Sequence, residues 1–126
     1  MPAQTAPNYD PNNIFAKILR GEIPCKKIYE NEHVLAFPDI NPQAPIHVLL
    51  IPKGAYIDSA DFGRRASPLE AAAFFAAIPH IAELVGLASG GFRLIANNGV
   101  NAHQEVPHFH LHMLGGRTLG AMLVKS

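Results

Sequence analysis

The stretch Val106-Pro107-His108-Phe109-His110-Leu111-His112-Met113-Leu114-Gly115-Gly116 alternates histidine with apolar residues. A period of two is the mark of a β-strand, because successive side chains point to opposite faces of the sheet. On such a strand His108, His110 and His112 share one face, each about 6.6 Å from the next. Phe109, Leu111 and Met113 share the other face. The reading predicts a strand opened by Pro107, which a strand start tolerates, and closed by Gly115-Gly116. One side of it is chemistry and the other is core.

Outward from that strand, Asn97-Asn98-Gly99 begins a polar loop lasting to Glu105, preceded by a strand from Phe92 to Ala96 after the Gly90-Gly91 turn. Residues 46–51 form an aliphatic run interrupted only by His47, which reads as a central strand buried on both faces. A hairpin precedes it: a strand around Lys26 to Glu30, a turn at Asn31-Glu32, and a strand from Val34 to Phe37 closed by the prolines 38 and 42. Asn12 or Asn13 caps a short helix from Ile14 to about Leu19, with Gly21 as its stop. Ser67-Pro68-Leu69-Glu70 has the form of a capping box, predicting a helix from Pro68 to Leu84 or Val85 that Gly86 ends. Pro79 inside it predicts a kink, or two helices end to end. Tyr56 to Arg65 lacks a pattern and is expected to be loop with at most one helical turn. Strands and helices segregate along the chain, so the expected class is α+β with a mostly antiparallel sheet.

A chain of 126 residues, 48% of them hydrophobic, suffices for one domain and one core. The expected division is a flexible polar lead over 1–11, a domain over 12–117 and an apolar tail over 118–126. Ten basic residues balance ten acidic ones, which leaves no excess charge to hold a polyanion, so nucleic acid is not an expected partner. Cys25 is the sole cysteine, which excludes an internal disulfide and any Cys-x-x-Cys metal site; it reads as a small buried hydrophobe. No apolar run approaches the ~18 residues needed to span a bilayer, and the polar start has no signal-peptide core. A cytoplasmic protein without membrane contact is expected.

Three readings of the histidine row compete. The plainest is a half-exposed strand whose polar face happens to use histidine. A second is a metal site, since histidines two apart on a strand can share Zn²⁺ when a third ligand arrives, with His47 or His103 available. The third is covalent catalysis: neutral imidazole attacks phosphorus near pH 7, the phosphorylated ring leaves well, and flanking histidines hold the tautomer and move protons. Gly99 and the polar loop after Asn97 favour the third, because backbone N–H groups there can hold a phosphate.

Beyond the row, the chain carries Ile14-Phe15-x-x-Ile18, Ala36-Phe37-x-Asp39-Ile40-x-Pro42-x-Ala44-Pro45-x-His47, Ile51-Pro52-Lys53, Asn97-x-Gly99 and Gln104-x-Val106, ahead of His108-x-His110-x-His112-x-x-Gly115-Gly116-Arg117. In this order and spacing they resemble the histidine triad (HIT) nucleotide hydrolases and transferases, and within them the Hint-like purine nucleoside phosphoramidases. The resemblance spans about residues 12–117 and implies a HIT-like fold, a homodimer and a purine nucleotide ligand. It implies that His110 attacks the α-phosphate to form a nucleotidyl-histidine, assisted by His112, His47 and His108. Asn97, Gly99, Gln104 and His112 match the surroundings of the phosphate, Asp39 the carboxylate on the ribose hydroxyls, and Ile14, Phe15, Ile18, Phe37 and Ile40 the slot for the base. Neighbouring activities are dinucleoside polyphosphate hydrolysis and nucleotide sensing without turnover. Three departures stand out. Asn12-Asn13-Ile14-Phe15 replaces the Cys-x-x-Cys of zinc-binding members, so neither metal nor other cofactor is expected. Glu105 stands where eukaryotic relatives have a phosphate-contacting serine. The tail from Leu119 to Val124 does not match the eukaryotic C-terminus.

Overall fold

In the computed structural model, which describes residues 8–123, strand β3 (Ile46–Pro52) lies at the centre of a five-stranded sheet. Its neighbours are β2 (Val34–Pro38) and β5 (Leu111–Gly115), with β1 (Tyr29–Glu30) and β4 (Phe92–Ile95) at the edges. Every pairing is antiparallel. Position 46 apart, β3 is buried along its whole length, as its unbroken apolar run requires. Val48 and Leu50 join one core with Val34, Ala36, Leu111 and Met113, while Leu49 and Ile51 join a second with Leu35, Phe37 and Phe15.

Helix α3 (Pro68–Leu84) covers the first core with Phe74, Ala77, Ile78, Ile81 and Ala82, a stripe at helical spacing. Ser67 and Glu70 form the capping box expected of them. Pro79 lies inside one continuous helix, not between two; it only withholds the N–H that the Phe75 carbonyl would otherwise accept. Helix α1 (Ile14–Leu19) covers the second core, capped by Asn13, whose side chain accepts from the Ala16 N–H. Gly21, at φ +79°, then lets the N–H of Glu22 reach the Lys17 carbonyl and end the helix.

The structure corrects the sequence reading in four places. Residues 59–65 form a helix, α2 (Ser59–Arg65), not a loop; Asp58 caps it through the Asp61 N–H and Phe62 anchors it in the core. The first strand is confined to Tyr29–Glu30. Cys25 is half-buried against the second core. The histidine strand begins at Leu111 instead of Pro107, because the ladder with β3 ends at Leu50–Leu111. Before that point the backbone finds partners outside the sheet: Phe109 N–H donates to the Tyr56 carbonyl and His108 N–H to that of Val106. Residues 1–7 of the expected lead and 124–126 of the expected tail lie outside the described residues. Among the described residues, no helix is long and apolar enough to cross a membrane.

Candidate active site

His108 and His110 sit on the segment that leads into β5, and His112 on the strand itself. All three stand on the α1 side, where Phe15 meets His110 edge-on at 5.0 Å and His108 at 6.3 Å between ring centres. His110 and His112 are 5.1 Å apart in the same measure. His47 joins them because β3 pairs with β5 so that Leu49 faces His112 and His47 faces Leu114, which leaves the two histidines diagonal to each other on one face.

Backbone partners fix which nitrogen of each ring carries its proton. A carbonyl only accepts and an N–H only donates, so the tautomers are assigned from the network. His108 Nε2 lies 2.9 Å from the Pro52 carbonyl and carries a proton; its Nδ1 accepts from the Tyr9 hydroxyl at 2.7 Å. His110 Nδ1 donates to the His108 carbonyl at 2.7 Å, which leaves Nε2 bare. His47 Nδ1 accepts from the Gln43 N–H at 3.1 Å, so its Nε2–H donates to His112 Nδ1 at 2.9 Å. His112 therefore presents Nε2–H.

Burial holds the row neutral. His108 has no exposed surface and its pKa falls to about 4 by desolvation, which the bond to Pro52 offsets only in part. His112 also falls to about 4, by desolvation first and then by its neighbours His110 and His47. His110 and His47 are lowered for the same first reason, offset in part for His110 by the bond to the His108 carbonyl and then the carboxylate of Asp39, and for His47 by Asp39. The result is an uncharged row, buried except for the half-buried His112, whose central ring offers a lone pair at neutral pH.

The remaining expected residues fall into two groups. Asp39 is brought to the row: Oδ2 lies 3.5 Å from His47 Nε2 and 3.9 Å from His112 Nδ1, and Oδ1 accepts from Asn41 N–H. Phe15 and Phe37 touch edge-on at 5.6 Å and are buried, with Ile18 half-buried beside them. Ile14 and Ile40 instead are exposed, Ile40 to 88%. Asn97 is half-buried just past β4. Gln104 spans the loop, accepting from Gly99 N–H and donating to the carbonyls of Ile57 and Val106. The Gly99 N–H is thus engaged by Gln104, and Gly99 adopts φ +74°, a region closed to most other residues. His103 is exposed, pairs with Glu105 at 3.1 Å, and is not part of the row. Tyr9, Gln43 and the Pro52 carbonyl were not foreseen, since their contacts depend on the folded backbone.

Asp39, His47 and His112 each offer an atom within 4.8 Å of the others, a spacing that fits a metal ion. The proton shared between His47 and His112 already links two of the three, and a metal would have to displace it.

The HIT domain family model matches residues 20–119. A 13.2 kDa HIT-like protein of Azospirillum brasilense is 58% identical over 121 residues, covering 96% of this chain and 99% of its own. The purine nucleoside phosphoramidase of Escherichia coli strain K12 is 43% identical over 110 residues, covering 87% and 92% respectively. Among solved structures, a HIT family hydrolase from Clostridium thermocellum superposes with a TM-score of 0.82 at 40% identity, covering 90% of this chain and 97% of its own. With the row of histidines, the sheet that carries it and these matches in agreement, the chain belongs to the HIT family.

Proposed function

We propose that the protein is a cytoplasmic hydrolase of purine nucleoside 5′-phosphoramidates working through a nucleotidyl-histidine on His110. The observation that carries this reading is the tautomer of His110. Its Nδ1–H is tied to the His108 carbonyl, so Nε2 is a bare, uncharged nitrogen. Attack by Nε2 on the α-phosphorus forms the P–Nε2 bond as the P–N bond to the amine breaks, the amine leaving with a proton from solvent. The ring is left bearing positive charge, which the same carbonyl stabilises; water then attacks the phosphorus, releases a proton to solvent and displaces a neutral imidazole. His112 Nε2–H is a donor for the leaving group, with His47 holding the other side of its ring. Asp39 is the group for the ribose hydroxyls and the exposed Ile14 and Ile40 are surface for the base, with Phe15, Ile18 and Phe37 beneath. Asn97, Gly99 and Gln104 shape the loop beside the phosphate, Gln104 as a brace. Support for the leaving group comes from the E. coli relative's activity. No metal takes part in this scheme.

Rapid-quench mass spectrometry should find AMP on His110 of the parent protein during turnover of adenosine 5′-phosphoramidate. His110→Ala should keep the fold and lose both adduct and turnover, and chelator should leave the parent rate unchanged. Parent-like turnover by His110→Ala would end this reading, and faster turnover of diadenosine tetraphosphate would move the substrate to dinucleoside polyphosphates.

A further inference from the structure

Among the three alternating histidines, His108 differs from His110 and His112 in that both of its ring nitrogens have partners. Nε2 is spent on the Pro52 carbonyl and Nδ1 on the Tyr9 hydroxyl, and the rings of Tyr9 and Phe15 both stand edge-on to it. Its only link to the chemistry is its backbone carbonyl, which receives the His110 proton. Tyr9 lies 99 residues away in sequence, yet its place is built. The carbonyl of Asp10 accepts from the Asn13 side chain at 2.7 Å, Asp10 Oδ1 accepts from Asn12 N–H, and Arg20 donates to the Pro11 carbonyl. These bonds tie residues 10–13 into a turn at the start of α1, and Tyr9 enters from that turn.

We propose that Tyr9 is a positioning residue of the active site: by donating to His108 Nδ1 it locks that ring against Pro52, and so holds steady the carbonyl that orients His110. The role rests on the nucleophile assignment above. Without the hydroxyl, His108 Nδ1 is a buried acceptor with no donor, and the ring must tilt or admit water to satisfy it. The carbonyl moves with it, and His110 gains access to its other tautomer, in which Nε2 carries the proton and cannot attack. Tyr9 stays a donor through the neutral range, since burial raises its pKa above the ordinary tyrosine value.

The test is Tyr9→Phe, with imidazole nitrogens read by long-range ¹H–¹⁵N NMR and turnover measured on adenosine 5′-phosphoramidate. The parent should show His108 as Nε2–H and His110 as Nδ1–H alone. The variant should keep its backbone amide spectrum, shift His108 Nδ1, and show a His110 population with Nε2–H. Its kcat should fall about tenfold, the worth of one buried hydrogen bond, with KM within about twofold of the parent. Tyr9→Leu should act in the same direction and further. A His110 that stays wholly Nδ1–H, or a kcat within about twofold of the parent, overturns the proposal. If the parent does not turn over the phosphoramidate, the substrate reading fails by itself, and the His110 tautomer alone decides for or against Tyr9.

Discussion

At His108 the fold keeps a titratable ring neutral, and this links the site to stability. The ring is fully buried, with a pKa of about 4 against 6.5 for a free imidazole. Between those values the unfolded chain binds a proton that the folded state refuses, so stability rises with pH across this window and is flat above it. Acidification from pH 6.5 to 4 should therefore cost on the order of 3 kcal/mol through His108 alone. His112, lowered to about 4, adds in the same direction. The carboxylates of Asp61 and Glu70, held below their ordinary values, begin to lose their stabilisation as pH falls through the ordinary carboxylate range, below the pH 6.5 to 5 interval where the histidines act alone. Urea midpoints that fall between pH 6.5 and 5 would bear this out; a flat profile there would contradict it. The alternating histidines were legible as a row from the sequence. Their proton states were not, because Pro52, Gln43 and Tyr9 approach only after folding.

Helix α2 shows where local pattern fails as a guide. Its seven residues contain one large apolar side chain, so no stripe announces it. What makes it helical is polar and tertiary: Asp58 caps it, Arg65 pairs with Asp61, and Phe62 inserts among Tyr56, Phe74 and Phe109 at ring distances of 5.0 to 5.3 Å. By contrast α1 and α3 carry their caps, stops and stripes in the sequence, and their bounds follow from it. Phe62 thus holds α2 to the first core, on the side of Tyr56 whose carbonyl accepts from Phe109 N–H just before His110. Phe62→Ala should cost about 3–5 kcal/mol, the usual range for an emptied aromatic site. Thermal and urea unfolding measure it; a loss below about 1 kcal/mol would mean that the polar caps alone hold α2.

For the molecule as a whole, the order β1-β2-β3-β5-β4 was not readable from the segments, since nothing local says that β5 lies between β3 and β4. That order leaves β4 at an edge, bonded on one side to β5, and there Phe92, Leu94 and Ile95 are each 36–38% exposed. An apolar edge strand invites another strand. We propose that a second copy of the chain supplies it, β4 against β4 about a twofold axis, because a self-complementary patch closes as a dimer and goes no further. In that arrangement the homodimer implied by the family resemblance would join two five-stranded sheets, with each histidine row on its own protomer's β5 and the segment leading into it. Light scattering after size exclusion should give about twice the chain mass of 13.6 kDa. Leu94→Lys places a charge in that contact and should give the single-chain mass. A parent protein that runs at 13.6 kDa across the micromolar range would remove the dimer. A dimer that survives Leu94→Lys would remove β4 as its seam.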